Sequence, residues 1–170
     1  MSNTSPARPR TNTPASGLAA SDGISGLETH LGYWLRAVSN HVSHAFQNRV
    51  EQHGVTVAEW VIMRALFAAD AAKPSELATD LGLTRSAISK LVDRLAAKDL
   101  VAVVGDPQDG RAQRVSLRPA GRRLVPKLAA LADANDAEAF GHLDQRQRAQ
   151  LIGIFRSIAA QLGIRGSPLD

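Results

Sequence analysis

The sequence predicts a mainly α-helical protein, a winged helix-turn-helix with long N- and C-terminal dimerisation helices. Three observations over its 170 residues support this fold class. Apolar residues recur every three or four positions along most of the chain, which is typical of amphipathic helices. A short turn containing glycine separates two of these helices, and two short extended runs follow directly. The order helix, turn, helix, hairpin is that of a winged helix-turn-helix.

The first two helices follow from periodicity and capping. Apolar positions from Leu27 to about His53 predict one helix of roughly 40 Å at 1.5 Å per residue. Thr56 followed by Glu59 has the spacing of a capping box, so a second helix begins there. Its residues are apolar almost all round, which predicts a central buried helix ending near Ala69.

The helix-turn-helix is predicted between Pro74 and Lys98. Pro74 suits a first helical position, Gly82 closes a tight turn, and Thr84 can cap the next helix. That next helix has an apolar face composed of Ile88, Leu91, Val92 and Leu95. Its opposite face is cationic and hydroxyl-bearing, with Arg85, Ser86, Ser89, Lys90, Arg94 and Lys98. The apolar face predicts core, and the second face predicts contact with something outside the protein.

The remaining elements are a hairpin and two helices. The runs VAVV (101–104) and AQRVSL (112–117) predict two strands joined by GDPQDGR, which is rich in turn residues. Pro119 opens a fifth helix, and Asp144 caps a last one. The predicted domains are therefore a disordered arm (1–24), a helical dimerisation region (25–55 and 119–165) and a winged helix-turn-helix (56–118).

The distribution of charge favours a nucleic-acid partner. Between Lys73 and Arg123 there are ten basic and six acidic residues, which account for the whole net charge of +4. A basic segment of this kind is the electrostatic footprint of a nucleic-acid binder. The sequence has no cysteine and no apolar run long enough to span a bilayer, so we expect a soluble cytoplasmic protein without a membrane partner.

A helix in this position enters the major groove through its N-terminal residues. We therefore expect Arg85, Ser86 and Ser89 to contact base edges of double-stranded DNA, and Lys90 and Arg94 to contact phosphate. For Arg94 an ion pair with Asp93 or Asp109 is an equal alternative.

At the hairpin, Arg111 is expected in the minor groove with Arg114 close behind. Asp109 is expected to orient a wing arginine.

Three stretches of the chain resemble the MarR family of bacterial transcription regulators. They are GVTVAEWVIMRAL, SELATDLGLTRSAISKLVDRLAAKDLV and DPQDGRAQRVSLRPAG. The resemblance covers Leu27 to Leu162, although Gly110 replaces a basic wing residue and Arg118 replaces a threonine. It implies a homodimer with interlocked terminal helices, which binds one pseudo-palindromic DNA site. It also implies that a small ligand often releases the DNA.

Other readings of the same residues stay open. Arg64 within an apolar helix, with Trp34, Trp60 and Met63, is a candidate pocket for a small aromatic or anionic effector. His41 and His44, with His30, His53 and His142 as further ligands, would make a metal-sensing regulator, although a solvated face explains them more simply. A winged helix that binds protein or RNA is another alternative. The sequence shows no recognisable catalytic set, so we expect neither an enzyme nor a cofactor.

Overall fold

The computed structural model describes residues 24–106 and 109–164, with side chains described up to 105 and from 112. It divides into two units, Met1–Val38 and Ser39–Asp170. The arm predicted for 1–24 lies, apart from Ile24, outside the described residues.

The first unit contains a 3-10 turn and the beginning of a long helix. The turn spans Leu27–Thr29, and helix α1 spans Leu31–Glu51. The prediction of one continuous helix from Leu27 was wrong at this end, because His30 has extended backbone (φ −92°, ψ 125°). The indole Nε1 of Trp34 donates to the carbonyl of Glu28 at 2.9 Å and closes this segment locally.

The second unit contains the rest of α1, followed by three helices that the sequence predicted. Helix α2 spans Val57–Ala69, α3 spans Pro74–Leu81 and α4 spans Arg85–Ala97. The capping box of Thr56 and Glu59 is confirmed, with the hydroxyl accepting from the Glu59 N–H at 3.2 Å. The carboxylate accepts from the Thr56 N–H at 2.7 Å, so two donors that the helix leaves unpaired are satisfied.

Three antiparallel strands form a small sheet in the order β1-β3-β2. The hairpin strands are β2 (Val101–Asp106) and β3 (Asp109–Leu117), so the predicted hairpin is present and its strands extend further toward the tip. Strand β1 (Ala71–Ala72) was not predicted and pairs with Ser116 and Val115 of β3. This pairing ties the wing to the end of α2.

One hydrophobic core joins these elements. Its fully buried side chains come from α1, α2, α4, β2, β3 and α5, and they include Val50, Ile62, Met63, Leu66, Ile88, Leu95, Val101, Val115 and Leu128. Burial of this apolar surface is the main favourable contribution to folding.

Two further helices complete the unit, α5 (Pro119–Phe140) and α6 (Gln145–Gln161). Asp144 caps α6 as predicted, its carboxylate accepting from the Gln147 N–H at 2.8 Å. No helix in the described part of the chain is long and apolar enough to cross a membrane.

A buried amide holds α5 against the second half of α1. Asn135 is 7% exposed, and its Nδ2 donates to the carbonyl of Val42 at 3.2 Å. Its Oδ1 accepts from Arg49 at 3.2 Å, and Arg49 also pairs with Glu138. Because the buried amide has partners for both its donor and its acceptor, its burial carries little penalty.

Gly121 allows the first turn of α5 to approach the chain between α4 and β2. A Cβ at this position would lie 2.2 Å from the carbonyl oxygen of Leu100, closer than any real Cβ contact. Leu100 also accepts from the N–H of Arg118 at 3.0 Å, so its carbonyl is held in place. Only a residue without a side chain fits here.

We therefore predict that Gly121→Ala destabilises the fold by about 1–3 kcal/mol, the usual cost of overpacking, despite the better helix propensity of alanine. The matched control is Gly153→Ala in α6, where a Cβ meets no atom within 4 Å. That variant should gain about 0.5–1 kcal/mol. Urea unfolding measures both, and a Gly121→Ala protein as stable as the wild type would contradict the packing argument.

Candidate nucleic-acid interface

The rotation of α4 about its axis decides which side chains face outward. Ile88, Leu91, Val92 and Leu95 are buried, as their spacing predicted. The opposite face is exposed and presents Arg85, Ser86, Ser89, Lys90 and Arg94. The structure therefore brings together five of the predicted DNA-contacting residues on one face of one helix.

The turn before α4 fixes where that face begins. Gly82 has left-handed backbone (φ 68°, ψ 23°), a conformation that favours glycine. Thr84 caps α4 through its hydroxyl, which accepts from the Ala87 N–H at 3.1 Å. The N-terminal end of a helix carries partial positive charge, which adds to the charge of Arg85.

The cations on this face are not neutralised by carboxylates of the described chain. Among the described side chains, Arg85, Lys90 and Arg94 form no ion pair. The alternative pairing of Arg94 with Asp93 is therefore absent there, and the side chain of Asp109 lies outside the described residues. These charges are available to a polyanion.

A groove runs between the start of α2 and the exposed face of α4. It has a volume of about 430 Å³ and is lined by Ala58, Leu83, Thr84, Ser86, Ala87, Lys90, Leu91 and Arg94. Arg85 lines a second groove of about 440 Å³ on the α3 side, together with Glu76 and Asp80. Arg85 thus lies at the α3 edge of the exposed face, and Lys90 and Arg94 lie at its α2 edge.

Of the three predicted wing residues, only Arg114 has a described side chain. The side chains of Arg111 and Asp109 fall outside the described residues, so their predicted roles stay predictions. Arg114 is half-buried, and its Nη2 donates to the carbonyl of Ala71 at 3.3 Å. Arg114 thus supports the pairing of β1 with β3, a contact that the sequence did not indicate.

The cation at the end of α4 has a structural partner that the sequence analysis missed. Lys98 was grouped with the outward cations, but its Nζ lies 2.8 and 2.7 Å from the two carboxylate oxygens of Glu59. Glu59 is fully buried. The prediction of an outward contact was wrong for Lys98, which is exposed but pairs with the carboxylate of Glu59, the third residue of α2. The available signal was Glu59 in a helix predicted to be buried almost all round. Glutamate is rarely fully buried unless it is paired, so a cationic partner could have been expected.

The four residues proposed for an effector pocket have unlike surroundings. Met63 is fully buried in the core, and Trp60 is 8% exposed. Arg64 is exposed on the outer side of α2, so the prediction of a helix buried almost all round was wrong at this position. Trp34 belongs to the first unit and is 51% exposed.

The histidines do not form a metal site in the described part of the chain. His41 and His44 are exposed on α1. Among the residues described, no group of three or more histidine, aspartate and glutamate side chains could hold a metal ion. The metal-sensing alternative therefore gains no support from the geometry.

Comparison with known families and sequences finds regulators of transcription. Residues 53–112 match the model of the MarR family. The chain is 27% identical over 94 residues to the uncharacterised HTH-type transcriptional regulator YsmB of Bacillus subtilis, covering 55% of this chain and 64% of that protein. It is 28% identical over 113 residues to the transcriptional activatory protein BadR of Rhodopseudomonas palustris, covering 65% of each. The chain thus spans slightly less than two thirds of the length of either relative.

Comparison with solved structures confirms the predicted fold class. A solved structure of BpsR from Bordetella bronchiseptica, whose DNA binding is regulated by 6-hydroxynicotinic acid, superimposes on this chain with a TM-score of 0.70. The match covers 81% of this chain and 98% of BpsR at 26% sequence identity. The similarity therefore supports the winged helix-turn-helix fold class for this chain.

Proposed function

We propose that the chain is a member of the MarR family, whose model matches residues 53–112, and that it is a sequence-specific DNA-binding transcription regulator. We further propose that it acts in the cytoplasm as a homodimeric, ligand-responsive repressor and has no enzymatic role. One observation carries the DNA-binding proposal. A single exposed face of α4 presents three cations without ion-pair partners among the described residues, beside two serine hydroxyls.

The chemistry of that face matches duplex DNA. Arginine can donate two hydrogen bonds to O6 and N7 of guanine, the commonest specific contact in the major groove. Lys90 and Arg94 lie further along the same face, where the phosphates of the groove wall are within reach. Ser86 and Ser89 can donate hydrogen bonds to base edges or to phosphates. A winged helix that binds protein would not need this combination of bidentate and point-charge donors.

We predict that Arg85→Ala weakens binding to a preferred duplex by on the order of 1–3 kcal/mol and relaxes the choice of base at one position in each half-site. The matched control is Arg146→Ala, which removes the same charge from an exposed position of α6. Fluorescence anisotropy with labelled duplexes measures both. The DNA assignment of α4 would be wrong if the two variants bound equally well, and preference for single-stranded RNA would favour the RNA-binding alternative.

The homodimer is proposed from apolar surface that one chain leaves uncovered. On α6, Ile154, Phe155 and Ile158 are 49, 45 and 43% exposed although they follow one helical stripe. In the first unit, Leu31, Trp34 and Leu35 are also at least half exposed. Soluble proteins rarely leave contiguous apolar surface of this kind in water, and a second copy of the chain would cover it.

Sedimentation should show a species of twice the 18.1 kDa chain mass. We predict that Phe155→Glu weakens the dimer by about tenfold or more, because a carboxylate buried in an apolar interface has no partner. Gln150→Glu places the same charge on an exposed polar position of α6 and should leave the mass unchanged. A wild-type protein that sediments at 18.1 kDa would contradict the proposal.

The effector is proposed to be a small aromatic anion. The DNA binding of BpsR is regulated by 6-hydroxynicotinic acid, and here Arg64 is exposed and has no ion-pair partner among the described residues. Its guanidinium is therefore open to a carboxylate. Such a ligand releases DNA only if it binds the DNA-incompetent state more tightly.

Salicylate is a suitable probe because Trp60 lies one helical turn from Arg64. We predict a saturable change in tryptophan emission, with a parallel loss of DNA affinity, that disappears in Arg64→Ala and persists in Arg146→Ala. Emission and affinity that stay flat to millimolar salicylate, or an unchanged response in Arg64→Ala, would remove Arg64 from any effector site.

A further inference from the structure

The ion pair between Glu59 and Lys98 joins helix α2 to the end of helix α4. Neither helix requires this contact in order to form. Glu59 is the third residue of α2, and Lys98 is the C-terminal capping residue of α4. Both carboxylate oxygens of Glu59 lie within 2.8 Å of the Lys98 Nζ. The pair therefore fixes the end of α4 to the beginning of the central buried helix.

Burial makes this pair a strict constraint. Glu59 is fully buried, whereas the side chain of Lys98 is 37% exposed. A buried carboxylate is costly without a charged or hydrogen-bonded partner. A displacement of the end of α4 would leave it with the Thr56 N–H as its remaining described partner. Small tilts of α4 are consequently opposed at this point.

The position of the pair gives it leverage over both DNA-contacting elements. Arg85 lies at the opposite end of the 13-residue α4, roughly 20 Å away at 1.5 Å per residue. If α4 tilts about its end at Lys98, Arg85 is therefore displaced further than any other residue of the helix. Strand β2 begins at Val101, three residues after Lys98, so the position of Lys98 also affects where the wing begins.

We propose that Glu59 and Lys98 are positioning residues for sequence recognition, and that Lys98 supports discrimination between DNA sequences without contacting DNA. This inference rests on the proposed DNA-binding function. Its expected signature is specific. Loss of the pair lowers the preference for the correct sequence, while attraction to any duplex stays unchanged because the cations of the exposed α4 face are retained.

The test uses the double variant Glu59→Gln/Lys98→Met in the full chain. Both charges are removed together, so no buried charge is left without a partner and the variant should fold. Lys98→Arg keeps the cation as a conservative rescue. Lys127→Met is the control, since it removes one exposed lysine from α5. Urea unfolding establishes the concentration of folded protein for each.

Anisotropy with a preferred and a scrambled duplex, over a range of salt concentrations, provides two readouts. We expect the ratio of the two affinities to fall by about tenfold in the double variant, and to recover to within about twofold of wild type in Lys98→Arg. The slope of log affinity against log salt on the scrambled duplex should not change. Lys127→Met should leave the ratio unaltered.

Two results would overturn the inference. A slope reduced by about one with an unchanged ratio would show that Lys98 contacts a phosphate. An unchanged ratio and slope in folded protein would show that the pair stabilises the fold and no more. A wild-type chain that fails to prefer any duplex would instead refute the proposed function, and this inference with it.

Discussion

The burial of one face of α4 is the constraint on which the candidate interface depends. Ile88, Leu91, Val92 and Leu95 must face the core, and this requirement fixes the rotation of the helix. Arg85, Lys90 and Arg94 then have only the outer side available. A rotation by one residue, about 100°, would bring charge into the core. Packing of the apolar face of α4 against the core thus determines which side chains the opposite face exposes.

The rotation of α4 about its axis is not enough to match its exposed face to a DNA groove, because the helix could still tilt or slide. The turn at Gly82 and the cap at Thr84 hold the start of α4, and the contact of Lys98 with Glu59 holds its end. Close packing of Gly121 against Leu100 holds α5 at the same junction. The helix that bears the candidate site is therefore restrained at both ends.

Local patterns in the sequence predicted most of the fold. Apolar spacing and capping residues act within one or two turns, so α2, α3, α4 and the hairpin followed from them. Strand β1 has two residues, too few for any period, and exists only because β3 lies beside it. The partners of Lys98 and Arg114 are 39 and 43 residues away along the chain, which local patterns do not encode. The exposure of Arg64 was missed because apolar neighbours indicate a buried helix without indicating which side remains open.

The central proposal is that a dimer presents two copies of the α4 face to one duplex. Selection of bound duplexes from a random library by the full chain tests it most directly. We predict enrichment of an inverted repeat whose half-sites lie about one helical turn, roughly 10 bp, apart. Recovery of unrelated sequences, or of a single unrepeated motif, would contradict it.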